Sequence, residues 1–166
     1  MGSYQTVIVG TDGSESSFRA VDKAAGLAKD AGATLVIACA FHPSGRDSGQ
    51  SGTMRATWKG SRPSQDEARD VLGNEAYKVT GSAPAEGALQ DAADRARKVG
   101  AKKIETTAVE GDPVDVLVNL VDKHSADLII IGNRGLNSLA GRLLGSVPAN
   151  VSHRAPCDVL IVHTTG

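Results

Sequence analysis

The fold is decided by the segment Leu128-Ile-Ile-Ile-Gly132-Asn-Arg-Gly135-Leu-Asn-Ser-Leu-Ala-Gly-Arg-Leu-Leu-Gly145-Ser146. Its first part is an aliphatic run without polar alternation, which is typical of a strand that helices cover on both faces of a parallel sheet. We expect a helix from Ser146 to about Arg154. Pro148 is compatible with it, because it would fall in the first turn, where a missing amide costs no hydrogen bond. A strand, a glycine-rich loop and a helix in this order predict an α/β domain.

Four further runs have the same aliphatic character, and we expect each of them to form a strand. They are Thr6–Gly10, Thr34–Ala38, Ile104–Val109 and Asp158–Val162. Helical segments separate the strands, so the 166 residues predict one doubly wound domain with five parallel strands between two layers of helices. Two separate cores would leave roughly 80 residues each, at the lower limit of the usual domain range.

Helical spacing and end signals mark the segments between these strands. Apolar residues recur at helical spacing after the first strand up to Gly32, and before the third strand up to Gly100, and both glycines stand where a left-handed cap is expected. Asp112 is the expected N-cap of the next helix, and Pro113 is its first residue. The apolar positions of that helix are Val114, Leu117, Val118 and Val121.

An irregular insert at about residues 42–83 separates the second strand from the next long helix. Its part Pro43–Gln65 is rich in Ser, Gly and Arg and nearly free of aliphatic side chains, so we expect it to be mobile or poorly packed. The run Ser64-Gln-Asp-Glu67 predicts the capping box of a short helix that ends at Gly73. Trp58 has two interpretations: it docks on the domain or a partner, or it is an exposed loop aromatic.

Composition and charge exclude several classes of function. Eighteen Lys and Arg against nineteen Asp and Glu give a net charge of -1, so no overall positive field favours nucleic acid or anionic lipid. The apolar runs are far shorter than the roughly 20 residues that cross a bilayer, and no signal peptide is recognisable. We therefore expect a soluble cytoplasmic protein that binds neither nucleic acid nor membranes.

The glycine-rich loop is the candidate ligand site. Ligands of open parallel sheets bind outside the carboxyl ends of the strands, which is where this loop begins. Glycines let backbone amides approach a ligand, and Gly145-Ser146 adds a hydroxyl and free amides at a helix N-terminus, which suits a phosphate. One glycine alone would more simply form a turn, but three of them with a helix-capping serine favour a phosphate site.

The spacing Gly132-x2-Gly135-x9-Gly145-Ser146 resembles the nucleotide-binding pattern of the universal stress protein family. The resemblance extends over nearly the whole chain, and its last part is most similar to an actinobacterial branch of UspA-like proteins. Other stretches that carry it are Val7-Ile-Val-Gly10-x-Asp12-Gly-Ser14, Gly111-x-Pro113 and Asp127-Leu-Ile-Ile-Ile-Gly132. Some members of that branch bind cyclic AMP as well as ATP, so the resemblance implies a stress-response protein that acts as a nucleotide sensor or sink.

The resemblance also implies a strand order, 3-2-1-4-5, in a Rossmann-like, three-layer α/β/α fold of the adenine nucleotide alpha hydrolase-like type. This order places strands 1 and 4 side by side, and these are the strands that Asp12 and Gly132 follow. The flavodoxin-like order 2-1-3-4-5 would insert strand 3 between them, and the two signals could not line one crevice.

Individual residues receive roles around this crevice by the same resemblance. The backbone at the end of strand 2 would meet the adenine edge, and Val109 and Pro113, at the end of strand 3 and the start of the helix after it, would help to wall the base. The glycine loop and the start of the last helix would hold ribose and phosphate. Asp12 would contact ribose or a nucleotide-bound Mg²⁺, although an Asp after a strand also commonly stabilises the next turn. The implied nucleotide-binding residues are Gly10, Asp12, Ala40, Phe41, Val109, Pro113, Gly132, Asn133, Arg134, Gly135, Gly145, Ser146 and Val147.

Motifs of hydrolysing enzymes are missing from the sequence. Neither a GxxxxGK[ST] P-loop nor a GxGxxG after a strand occurs, and no Lys accompanies the glycine loop to reach the outer phosphates. We therefore favour a binding protein over an enzyme. Two alternatives stay open: a slow ATP-hydrolysing or adenylyl-transferring enzyme of the same fold, and a flavin or protein-interaction module.

Histidine and cysteine spacing predicts no metal cage. No HxH, HExxH or CxxC occurs, so the only metal we expect is Mg²⁺ that arrives with a nucleotide. Cys39 and Cys157 would belong to strands three places apart in the implied order, about 14 Å, so we expect free thiols rather than a disulfide.

The last strand predicts a subunit contact. As an apolar strand at a sheet edge, Asp158-Val159-Leu160-Ile161-Val162 would expose unpaired backbone groups. We expect a homodimer in which two such strands pair antiparallel, which the resemblance also implies. Coverage by the chain's own termini is the alternative.

Overall fold

The computed structural model describes residues 3–43, 79–133 and 146–164, and these contain six strands and four helices. The strands are β1 (Thr6–Gly10), β2 (Thr34–His42), β3 (Val79–Thr80), β4 (Lys103–Glu110), β5 (Leu128–Gly132) and β6 (Asp158–Val162). The helices are α1 (Glu15–Ala31), α2 (Ser82–Val99), α3 (Pro113–His124) and α4 (Ser146–Arg154). None of these helices combines the length and the apolarity that spanning a bilayer requires.

All strand pairs in the sheet are parallel, and the five long strands lie in the order β4-β2-β1-β5-β6. Counted along the chain without the two-residue β3, this is the order 3-2-1-4-5. Both the α/β class and the implied topology are therefore confirmed, and the flavodoxin-like order is excluded.

The sheet lies between two hydrophobic cores of different composition. On one face, α1 and α2 contribute mainly alanines, whose small side chains let helices approach the sheet closely. On the other face, α3 contributes branched aliphatic residues, and α4 adds Val151. Alternate residues of β1 point into the two cores, with Val7 and Val9 on the first face and Ile8 on the second. The strands are thus buried on both faces, as their continuous apolar character predicts.

Helix ends carry the capping groups that the sequence predicts. Gly32 and Gly100 end α1 and α2 with φ values of 66° and 118°, where glycine avoids the strain of a side chain. Asp112 caps α3, because its carboxylate accepts from the amide of Val114 at 2.9 Å. Ser125 ends the same helix in the left-handed region at φ 50°. The sequence did not predict this cap, because no glycine stands at the position.

The predicted insert is only partly covered by the described residues. β2 continues to His42 instead of ending at Ala38, and β3 pairs with its last two residues. Neither feature was predicted, because two residues of β3 are too few to form a recognisable pattern. The expectations for residues 44–78, which include the capping box at Ser64 and the position of Trp58, lie outside the described residues.

Candidate functional site

The carboxyl ends of β1 and β5 lie side by side. The two strands pair directly, with Val9 opposite Ile130, and they end at Gly10 and Gly132. β1 leads into α1 on one face of the sheet, whereas the helix that follows β5, α4, packs on the other face. Such a divergence of neighbouring connections opens a crevice at the sheet edge. The ends of β1 and β5 therefore bound one crevice, with no strand between them.

Short side-chain hydrogen bonds hold the turn between β1 and α1. The Asp12 carboxylate accepts from the amide of Ser14 at 2.9 Å, and the Ser14 hydroxyl oxygen accepts from the amide of Ser17 at 3.1 Å. The buried hydroxyls of Thr11 and Ser17 are 2.8 Å apart, and Gly13 adopts a φ of 82°. Asp12 therefore has a structural function in this turn, whatever ligand it contacts.

Gly10 also has a structural function. A Cβ atom at this position would lie 3.2 Å from Cδ1 of Leu117 on α3, which is closer than an ordinary side-chain contact. The absence of a side chain therefore lets α3 pack directly over the end of β1, independently of any ligand.

The ends of β2 and β4 form the crevice wall next to β1. Ala40 pairs with Val109, and both side chains are half-buried on the face of α3 and α4. Pro113 begins α3 at the same end of that face, just after β4. The side chain of Phe41 packs on the opposite face, and its carbonyl accepts from the amide of Gly111 at 2.9 Å. The structure thus places three of these four residues on one face and the Phe41 ring on the other.

The short strand β3 borders the crevice beyond the end of β1. Carbonyls alternate in direction along a strand, so those of Ala38 and His42 point to the same side of β2. Ala38 accepts from the amide of Thr11 after β1, and His42 accepts from the amide of Gly81 after β3. β3 therefore lies in line with β1 on one side of β2 and leaves β1 and β5 in direct contact.

His42, at the end of β2, has a buried ring nitrogen that no described residue contacts through a hydrogen bond. Its side chain follows that of Ala40 at the two-residue repeat of a strand and so points to the face of α3 and α4. Nε2 of His42 is buried and makes no hydrogen bond to the described residues. Because buried polar groups nearly always have a partner, this atom is a candidate ligand contact. The sequence does not reveal this contact, because a single histidine at the start of the insert belongs to no recognisable motif.

Asn133, the first residue after β5, uses its side chain within the protein. Its Oδ1 accepts from the amide of Thr164 at 2.9 Å and from the Thr164 hydroxyl at 2.8 Å. Its Nδ2 lies 3.2 Å from Nδ1 of His163, and its backbone amide donates to the carbonyl of Val162 at 2.9 Å. The Asn133 side chain thus anchors the segment after β6, a function that its sequence neighbours do not indicate.

The two ends of the glycine loop fall within the described residues. Gly132 ends β5 in a buried position, and the exposed Ser146 begins α4, as predicted. Val147 is half-buried against the core under α3 and α4. The three remaining candidates of the loop, Arg134, Gly135 and Gly145, lie outside the described residues.

The Asp12 carboxylate acts on the Cys39 thiol of the neighbouring strand β2. Burial raises the pKa of the Cys39 thiol to about 11, and the Asp12 carboxylate contributes to the increase. Within the three described ranges, no three His, Cys, Asp or Glu side chains lie close enough to hold a metal ion. Cys39 and Cys157 are both free thiols, as predicted. The candidate ligand contacts among the described residues are backbone amides, hydroxyls, the Asp12 carboxylate and Nε2 of His42.

Comparisons with known proteins agree with this geometry. The family model described as "Universal stress protein family" matches residues 3–163. Universal stress protein Rv1636 of Mycobacterium tuberculosis is 52% identical over 165 residues, which are 99% of this chain and 100% of the relative. Universal stress protein YxiE of Bacillus subtilis is 32% identical over 161 residues, 96% of this chain and 99% of the relative.

A solved structure extends the comparison to the fold. A universal stress protein crystallised in complex with cAMP is 44% identical, has a TM-score of 0.69, and is matched over 99% of this chain and 100% of its own. Family model, relatives and topology agree over almost the full length of the sequence, and the chain therefore belongs to the universal stress protein family.

Proposed function

We propose that the crevice between the ends of β1 and β5 binds an adenine nucleotide, ATP or cyclic AMP. The observation that carries this proposal is the direct pairing of β1 with β5, so that the strands followed by Asp12 and by Gly132, the first residue of the glycine motif, are neighbours. The cAMP complex of a 44% identical family member supports an adenine nucleotide as the ligand class. The proposal rests on this geometry and on that relative together.

In this proposal, one group of residues binds the adenine and another group binds the ribose and phosphate. Adenine lies against the wall formed by Ala40, Val109 and Pro113, where the backbone near Phe41 meets its edge. Nε2 of His42, which is buried and has no hydrogen-bond partner among the described residues, provides a further hydrogen bond to the nucleotide. Ribose and phosphate are held by Gly10, Asp12, Gly132, Asn133, Arg134, Gly135, Gly145, Ser146 and the amide of Val147. The amides at the start of α4 favour a phosphate, because a helix N-terminus carries a partial positive charge.

We propose that the protein acts as a nucleotide sensor or sink rather than as an enzyme. The glycine loop has no lysine to reach the outer phosphates, so the site stabilises bound phosphate without an evident group that activates water. Mg²⁺ enters only with a nucleotide, through Asp12. The chain functions as one domain in the cytoplasm, and it forms a homodimer through the edge strand β6.

Calorimetric titration with ATP, AMP and cyclic AMP, followed by a phosphate-release assay, tests the proposed function. We expect ATP or cyclic AMP to bind with a Kd of about 1 μM, roughly -8 kcal/mol, without measurable phosphate release. Phosphate release that Asp12→Ala abolishes would identify an ATP-hydrolysing enzyme instead. Lack of binding by all three nucleotides would contradict the proposal.

Two substitutions of Asp12 separate the effect of its hydrogen bond to the Ser14 amide from the effect of its negative charge. Asp12→Asn keeps a side-chain oxygen for the Ser14 amide, whereas Asp12→Ala loses both the acceptor and the charge. If the carboxylate binds a nucleotide-bound Mg²⁺, Asp12→Asn weakens Mg-ATP binding about tenfold and leaves cyclic AMP binding within about twofold. Asp91→Ala, on the exposed surface of α2, is the control. Equal affinity of all variants for Mg-ATP would exclude the carboxylate as a ligand contact.

A further inference from the structure

Hydrogen bonds from the end of β5 and from α1 converge on Thr164, the second residue after β6. Thr164 is buried, with 4% of its surface exposed. Its amide and hydroxyl both contact Oδ1 of Asn133, at 2.9 and 2.8 Å. On the other side, the Ser16 hydroxyl contacts the Thr164 hydroxyl, and Nη1 of Arg19 donates to the Thr164 carbonyl at 2.6 Å.

The direction of each hydrogen bond in this cluster follows from the donors present. The Thr164 amide is only a donor, so the Asn133 atom that it contacts is the carbonyl oxygen, and the Thr164 hydroxyl must donate to that oxygen as well. Since a hydroxyl has one proton, Ser16 donates to Thr164. Nδ2 of Asn133, which can only donate, then donates to Nδ1 of His163. The cluster is a continuous chain from Ser16 to His163.

The chain connects three parts of the molecule that are distant in sequence. Asn133 is the first residue after β5 and begins the glycine loop, while Ser16 and Arg19 lie in the first turns of α1, close after Asp12. Thr164 follows the edge strand β6. The same buried hydroxyl therefore fixes the segment after β6 to both sides of the crevice.

We propose that Thr164 is a positioning residue for ligand binding: through Asn133 and Ser16 it holds the start of the glycine loop and the start of α1 in the arrangement that binds nucleotide. This inference rests on the proposed function and adds a determinant of affinity outside the crevice. It also makes nucleotide affinity depend on how the segment after β6 is seated. A change at the sheet edge can thus reach the crevice through one side chain.

Removal of the Thr164 hydroxyl has a defined consequence. Thr164→Val keeps the shape of the side chain but leaves the Ser16 hydroxyl without this acceptor and Asn133 Oδ1 with one donor fewer. Oδ1 of Asn133 then keeps the Thr164 amide but loses the Thr164 hydroxyl, so one hydrogen bond fewer holds the first residue of the loop in its orientation. A net loss of one hydrogen bond corresponds to an about three- to tenfold weaker binding of ATP or cyclic AMP.

The experiment compares four proteins by calorimetric titration with ATP and with cyclic AMP, and by thermal unfolding. The proteins are the wild type, Thr164→Val, Thr164→Ser and the control Thr34→Val, which lies half-buried at the opposite end of the sheet. We expect Thr164→Val to bind about three- to tenfold more weakly, and Thr164→Ser and Thr34→Val to bind within about twofold of the wild type. Ser16→Ala, which removes the hydrogen bond from the α1 side, should weaken binding in the same direction if Thr164→Val fails to fold.

Three results would overturn the inference. Wild-type affinity in Thr164→Val, with only a lower unfolding temperature, would show a purely structural residue. Failure of Thr164→Ser to restore the affinity would show that the hydroxyl is not the cause. Lack of nucleotide binding by the wild type would overturn the proposed function and the inference together, which distinguishes this failure from the first two.

Discussion

Single residues at the crevice combine structural contacts with the chemistry that a ligand requires. Gly10 accommodates Leu117, Asp12 holds the turn into α1, and Asn133 anchors Thr164. The sequence located these residues at strand ends because strand boundaries and glycines are local signals. It could not reveal their partners, since Thr164 lies 31 positions from Asn133 and 148 positions from Ser16. Contacts of this kind depend on the tertiary fold.

The orphaned nitrogen of His42 leads to a prediction about affinity. His42→Phe fills the same space without a hydrogen-bonding atom, whereas His42→Gln can place an amide near the position of Nε2. We expect His42→Phe to bind ATP about five- to tenfold more weakly, and His42→Gln within about threefold of the wild type, as measured by calorimetry. His153→Phe, an exposed residue near the end of α4, is the control. Unchanged affinity in His42→Phe would show that Nε2 does not contact the nucleotide.

The buried Cys39 thiol leads to a prediction about pH. Burial, with a smaller contribution from Asp12, raises its pKa to about 11 from an ordinary value of 9.0. Below pH 9 the thiol is protonated in both the folded and the unfolded chain. Between about pH 9 and 11 the unfolded chain loses the proton first, so the contribution of Cys39 to stability decreases as the pH rises through this window.

Urea unfolding of the wild type and Cys39→Ala at pH 8, 9 and 10 measures this effect. We expect the difference in unfolding free energy between the two proteins to decrease from pH 8 to pH 10. The comparison cancels the titration of Tyr and Lys side chains, which both proteins share. A difference that stays constant over this range would show that the folded thiol ionises at its ordinary pH.

At the scale of helices and strands, local end signals predicted most boundaries correctly. β1, β6 and α4 have their predicted bounds, and glycines or an Asp-Pro pair mark the predicted helix ends. The boundaries that were missed lack a local signal in the sequence. β2 runs on to His42 because β4 and β3 pair with its end, and α2 begins after Gly81 without any side-chain cap. Neither feature has a local pattern that a sequence reader can recognise.

One arginine adds polar contacts between α1 and α2, and this gives a prediction about stability. Arg95 on α2 forms two hydrogen bonds to Asp22 on α1, at 3.1 and 2.6 Å, and its guanidinium lies 5.2 Å from the centre of the Phe18 ring. The pair is partly exposed, so we expect Arg95→Ala to lower the unfolding free energy by about 1 kcal/mol in urea denaturation.

A matched variant on the same helix is the control for Arg95. Arg97 pairs with Asp94 on its own helix, in an exposed position. We expect Arg97→Ala to change the unfolding free energy by less than about 0.5 kcal/mol. Equal effects of the two substitutions would contradict a specific connection between α1 and α2.

At the scale of the whole molecule, the two edges of the sheet differ in character. The edge strand β4 exposes Lys103, Glu105 and Glu110, and charges of this kind discourage pairing with another sheet. β6, at the other edge, carries four half-buried aliphatic residues after Asp158. The asymmetry supports β6 as the dimer contact, while the topology itself is confirmed by the order of the strands.

Sedimentation of the purified chain at micromolar concentration tests the proposed dimer. We expect the wild type to sediment as a dimer and Leu160→Lys to sediment as a monomer, because a buried lysine in the paired strands would lack a partner. Thr106→Lys places the same side chain on the opposite edge and should remain dimeric. Circular dichroism verifies that each variant is folded. A monomeric wild type would contradict the dimer contact.

The measurement that tests the central claim most directly is an NMR titration of the ¹⁵N-labelled protein with ATP or cyclic AMP. If the nucleotide binds between the ends of β1 and β5, the largest amide shifts occur at the carboxyl edge of the sheet, in Asp12, Gly132, Asn133, Ser146 and Val147. Amides at the opposite edge, such as those of Thr6, Thr34 and Leu128, should shift little. Largest shifts at that opposite edge, or no shifts with either nucleotide, would contradict the account.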